Sequence, residues 1–184
     1  RIVARLLRDT PGLTILTESG DEPWPTGPEL IGRADGVVLF VSQGAKWIHD
    51  DPRRLEALAL LTERQGGFVG LHWGIGTQAA DYIDGYLRLA GGCHGGPDRK
   101  FAVLEADVVP AEHPINAGIA AFRVRDEFYY RLKFTREAGL TPLWQAEIEG
   151  QTETIAWAWE RPAGGRSAGF SGLHFHENWR LPQY

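Results

Sequence analysis

The stretch FVGLHWGIG, Phe68 to Gly76, decides the fold. FVGLHW, Phe68 to Trp73, reads as a short buried strand. The run GTQAADYIDGYLRLAGG behind it reads as a helix, with Thr77 as its expected N-cap. At the end of that strand, His72 stands flanked by Gly70 and Gly74. A glycine-flanked residue on a tight strand-to-helix turn has the geometry of a nucleophile elbow, because glycine tolerates the strained backbone. In α/β sheets such a turn lies beyond the carboxyl end of a strand, where the chemistry sits. The imidazole of His72 can ligate a metal or act as a general base there, but is a poor acyl-transfer nucleophile beside a thiolate.

Working outward, DGVVLFVS, Asp35 to Ser42, is a continuous apolar run suited to a buried parallel strand. DPRRLEALALLTERQGG carries Pro52 early, apolar residues at helical spacing and a Gly-Gly stop, so it reads as a helix. Strand, helix, strand, helix predicts a parallel sheet with helices on both faces. Upstream, RIVARLLRDT reads as a helix ended by Pro11-Gly12, and LTILTE, Leu13 to Glu18, as a strand. DEPWPTGPEL reads as a turn-rich connection. A chain that opens inside a helix is expected to lack a strand N-terminal to it. The second half is β-rich: KFAVLEADVV, FRVRDEFYYRLKF, TPLWQAEI, TETIAWAWE and SAGFSGLHF read as strands, with RPAGGR a hairpin turn before the last.

The bulk numbers narrow the function. A length of 184 residues predicts one domain over 1–184. A net charge of −5 argues against nucleic acid or an anionic membrane as partner. No stretch approaches the roughly 20 apolar residues of a membrane span. Cys93 is the one cysteine, which rules out an internal disulfide and leaves the compartment, cytoplasmic or periplasmic or secreted, open.

Three segments carry chemistry. In GFSGLHFHENW, Gly169 to Trp179, period-two alternation would set His174 and His176 on one face of a strand, a common metal-binding arrangement. With His72 they make a candidate set for a divalent cation, zinc or manganese. In RVRDEFYYRLKF, the adjacent Asp126 and Glu127 must point to opposite sides, and Glu127, Tyr129 and Arg131 would share a wall suited to a hydroxylated or anionic ligand. In GGCHGGPDRKF, four glycines surround Cys93 and His94 and could bring backbone amides to a ligand. Adjacent residues rarely form a working dyad, so Cys93 reads as structural and a cysteine hydrolase ranks last. His113, before a proline in a surface turn, also reads as structural. Trp73 and Trp179 adjoin the histidine motifs and could carry a sugar ring on their faces.

Taken together, GGFVGLHWGIGT, GGCHGGPDRKF, HPI, VRDEFYYRLKF and ETIAWAWERPAGGRSAGFSGLHFHENW resemble the ThuA-like, or trehalose-utilisation, family from about Ala34 onward. The resemblance implies a flavodoxin-like α/β fold similar to class I glutamine amidotransferases, and a bacterial role in processing glycosides or keto-sugars. It sets His72 where those enzymes carry the elbow cysteine, and FHEN, with His176, in the frame of their late histidine. Loss of the thiol disfavours glutaminase chemistry. The expected site has His72, His176 and Glu127 as catalytic groups and His72, His174 and His176 as metal ligands. Trp73, His94, Tyr129, Arg131, Asn178 and Trp179 would contact a small carbohydrate. No nucleotide cofactor is expected, and a homo-oligomer is left open. The alternative is a non-catalytic carbohydrate-binding module on an amidotransferase-like fold.

Overall fold

The computed structural model describes residues 2–18 and 26–184. Helices α1 (Ile2–Leu7) and α2 (Gly27–Arg33) precede strand β1 (Gly36–Leu39). Then come α3 (Gly44–His49), α4 (Pro52–Glu63), β2 (Gly67–Leu71) and α5 (Ile83–Ala90). The remaining strands are β3 (Gly92–Cys93), β4 (Lys100–Pro110), β5 (Phe122–Tyr130), β6 (Lys133–Phe134), β7 (Leu140–Ile148), β8 (Gln151–Glu160) and β9 (Arg166–Phe170). The main sheet runs β1-β2-β9-β8-β7-β4-β5. It is parallel from β1 through β2 to β9 and antiparallel from β9 onward. Apart from β6, which pairs with β3 in a separate two-stranded sheet, the β-rich second half therefore continues the same sheet. Two apolar clusters hold it. One joins α2, β1, α3, α4, β2 and α5, and the other is built on β4, β5, β7 and β8. Between them lies a small cluster of Ile75, Tyr129 and Trp157.

The α4 helix starts as its sequence demands: the Asp51 side chain accepts the Arg53 N–H at 2.9 Å and Pro52 occupies the first turn. Four local expectations are corrected. Leu13 to Glu18 form no strand and lie exposed, because no neighbour among the described residues supplies a ladder for them. The connection DEPWPTGPEL contains the start of α2, and its residues 21–25 lie outside those described. Among the described residues the β1 strand is an edge strand, not one buried on both faces. Val37, Leu39 and Val41 join the helix-side cluster, while Val38 and Phe40 remain 45% and 50% exposed. Thr77 is fully buried and its hydroxyl accepts the Ala79 N–H, so it closes a turn ahead of a 3₁₀ segment and does not cap α5.

Candidate functional site

The turn after β2 has the geometry its glycines suggest. His72 holds φ of 48°, a left-handed conformation for a non-glycine residue, and opens a 3₁₀ turn to Ile75. Gly70 and Gly74 are required by close approach. A Cβ on Gly74 would sit 2.6 Å from the Leu39 carbonyl oxygen, and one on Gly70 2.7 Å from the Tyr86 hydroxyl. That hydroxyl donates to the Gly74 carbonyl at 2.7 Å and locks the turn onto α5. The side chain of His72 is thereby held still over the ends of the parallel strands.

His72 lies in a stack. Its ring faces Tyr129 at 4.6 Å and 17°, and Tyr129 faces His94 at 4.4 Å and 7°. The Nδ1–H of His72 donates to the Ser171 carbonyl at 3.0 Å, since a carbonyl can only accept. Nε2 is then left with its lone pair, and faces the Tyr129 hydroxyl at 3.1 Å, His174 Nδ1 at 3.2 Å and Glu127 Oε1 at 3.8 Å. Glu127 turns its other oxygen to His174 Nδ1 at 3.7 Å. The candidate ligand atoms of His72, Glu127 and His174 lie within 4.8 Å of one another. Two nitrogens bound tetrahedrally to one zinc ion would be about 3.3 Å apart, so the 3.2 Å between the histidines fits that donor set. The Ser171 carbonyl supplies the outer hydrogen bond that metal-binding imidazoles use to fix their tautomer.

Asp126 is the residue the sequence reading missed. Its side chain is fully buried. It accepts the backbone N–H groups of Glu127 and Leu173, each at 2.8 Å, of His174 at 3.1 Å and of Phe175 at 3.3 Å, together with the Tyr184 hydroxyl at 3.0 Å. The loop 173–175 wraps around this carboxylate, with Leu173 at φ of 81°, and the wrapping aims His174 at His72. The signal was present in the strict alternation of β5: once Glu127 and Tyr129 face the site, Asp126 must face the core, where a carboxylate needs donors.

Several predicted residues sit elsewhere. The β9 strand ends at Phe170, so alternation cannot carry His174 and His176 to one face. His174 alone joins the cluster, and His176 opens an exposed 3₁₀ turn. In the amidotransferase frame it is therefore His174, not His176, that meets the elbow residue. Arg131 lies past the end of β5 at φ of 59°, and its guanidinium goes to Gln151, Glu149 and Glu153, away from Glu127. Asn178 is buried and donates to the Arg125 carbonyl at 2.9 Å, a pin for the C-terminal turn. Trp73 packs on Tyr129 and His94, and His94 is sealed beneath Tyr129 with no exposed surface. Cys93 is fully buried, and burial pushes its thiol up to about 12, which leaves no thiolate for catalysis. His113 accepts the Ile115 N–H and caps a turn, as a structural histidine does.

Burial also sets protonation. It holds His72 below the ordinary imidazole value, against the opposing pull of the Ser171 carbonyl and Glu127, and pushes His94 down to about 4. It raises the Tyr129 phenol, helped by the Glu127 charge. Both histidines are thus neutral near pH 7. Because their folded values are depressed, the unfolded chain takes up protons first as pH falls below about 6.5. The stability they leave intact above that pH is lost toward pH 4, about 3 kcal/mol for His94. Urea midpoints should therefore fall between pH 6.5 and 4 more steeply in the wild type than in His94→Gln; equal slopes would refute the assignment.

A model of the family described as ThuA, trehalose utilisation, matches residues 14–184. No curated protein sequence matches the chain. Among solved structures, a Bacteroides uniformis protein described as ThuA-like is similar with a TM-score of 0.64 at 13% identity, over 86% of this chain and 68% of that one. The cytoplasmic protein STM3548 of Salmonella typhimurium gives 0.59 at 16%, over 89% and 72%. The glutaminase domain of Trypanosoma brucei CTPS, solved with acivicin, gives 0.50 at 10%, over 94% and 76%. At these identities the structures speak to the fold, which is that of a class I amidotransferase-like α/β protein with a histidine at its elbow. With its family model spanning nearly the whole length, the chain belongs to the ThuA, or trehalose utilisation, family.

Proposed function

We propose that this chain is a metal-dependent enzyme acting on a glycoside or keto-sugar, with His72, His174 and Glu127 holding a divalent cation such as zinc. The convergence of those three side chains on one point carries the reading. The family description, trehalose utilisation, supports the carbohydrate class. A bound cation would supply Lewis acidity toward a carbonyl or hydroxyl oxygen. The remaining work falls to the protein. The Tyr129 phenol stays protonated, because burial and Glu127 oppose its ionisation, so it donates a hydrogen bond to a substrate oxygen. Glu127 presents one carboxylate oxygen toward each histidine, and the one not engaged can move a proton. Neutral His72 keeps its Nε2 lone pair because its Nδ1–H is committed to Ser171.

Among the described residues, no helix is long and apolar enough to cross a membrane. The test is metal analysis of the purified protein by mass spectrometry, before and after chelation, alongside turnover of trehalose and its 3-keto derivative. About one equivalent of metal, with turnover lost on chelation and restored by zinc or manganese, is the expected result. Full turnover in the stripped protein would sink the proposal, and glycoside binding without any turnover would move the chain to the binding-module class.

A further inference from the structure

Phe40 has no role in the site as described, yet it stands beside it. The β1 strand alternates, so Val37, Leu39 and Val41 face the core and Phe40 faces the opposite way. Leu39 pairs with Gly70, which brings Phe40 to the level of the His72 turn. Its ring is 50% exposed, 6.3 Å from the His72 ring and 6.2 Å, edge-on, from Trp179. Trp179 is itself partly exposed. An aromatic pair left open to water next to a polar cluster offers what a sugar ring needs: an apolar face for its C–H bonds beside groups for its hydroxyls.

Charge narrows the ligand. Among the described residues, the ion-pair partners of Glu127 are the two histidines, and neither Lys nor Arg pairs with the cluster. Arg131, the cation the sequence placed there, is committed to Gln151, Glu149 and Glu153. Apart from the proposed metal ion, no Lys or Arg among the described residues pairs with the cluster to hold a phosphate or a carboxylate, whereas recognition of anions relies on such groups.

We propose that Phe40 and Trp179 form a stacking subsite for a neutral pyranose ring, adjoining a ring held at the His72–Glu127–His174 cluster. The inference rests on the carbohydrate reading above and extends it to an uncharged glycoside of at least two rings. Calorimetric titration of the zinc-loaded protein with trehalose, methyl α-glucopyranoside and glucose 6-phosphate tests it. Wild type should bind trehalose more tightly than the one-ring glucoside. Phe40→Ala should cut that advantage by about tenfold and Phe40→Trp should keep it, with zinc stoichiometry and thermal midpoint unchanged because the ring is exposed. An unchanged ratio in Phe40→Ala overturns the subsite alone. Tighter binding of glucose 6-phosphate than of trehalose overturns its neutral class. A wild type that binds no neutral sugar overturns the carbohydrate reading itself.

Discussion

Asp126→Ala is expected to destabilise the protein by roughly 3–5 kcal/mol, or to prevent folding. The carboxylate accepts four backbone N–H groups and one phenol, all inside the protein. Alanine would leave them without an acceptor, and each orphaned donor costs about 1–3 kcal/mol before water or relaxation compensates. The unusual backbone at Leu173 would lose its tether as well. Asp126→Asn separates the contributions. Its amide oxygen can serve Glu127, His174 and Phe175, and its NH₂ group then faces Tyr184, whose hydroxyl can turn to accept. The Leu173 N–H is the group left unserved, so the loss should be about 1–3 kcal/mol. Urea denaturation of the three proteins decides this. An alanine variant as stable as wild type would show that the buried carboxylate does not organise the loop.

The second large effect concerns the cluster. Zinc affinity should fall at least about a hundredfold in His72→Ala and in His174→Ala, since loss of an outer-shell partner alone costs 10–100-fold. His176→Ala should bind like wild type, because that side chain stands in an exposed turn outside the cluster. Competition against a chromophoric chelator measures all three. A comparable loss in His176→Ala, alongside the loss in His174→Ala, would restore the same-strand pair that the sequence alternation suggested. Asp126→Asn adds a link between the two predictions: a modest loss of zinc affinity is expected, because the carboxylate sets the loop that carries His174.

Much of the framework could be read directly. The elbow was visible because Gly70 and Gly74 flank His72 at the end of an apolar run, and glycine is what the close approach of the Tyr86 hydroxyl at one and of the Leu39 backbone at the other demands. The α4 helix was visible from its early Pro52, its apolar residues at helical spacing and its Gly-Gly stop. The strand segments of the second half were visible from β-branched and aromatic runs separated by turns. Leu13 to Glu18 misled because β-propensity reports a fit to a pleated surface, and among the described residues no partner strand provides one there. Arg131 misled because period-two logic holds only within a strand, and β5 stops one residue earlier.

The sequence alone determined the α4 helix, most strands of the second half, the histidine at the elbow and the absence of an available thiol nucleophile near it, since each depends on local residue chemistry. Tertiary structure decided which second histidine completes the cluster, where Asp126 goes and what Phe40 faces. Those depend on where β9 ends and on how a buried carboxylate gathers the chain around it, through hydrogen bonds between residues some 50 positions apart. No pattern along the chain encodes such a contact. It exists because a buried charge must be met by donors, and the fold brings the 173–175 loop to meet it.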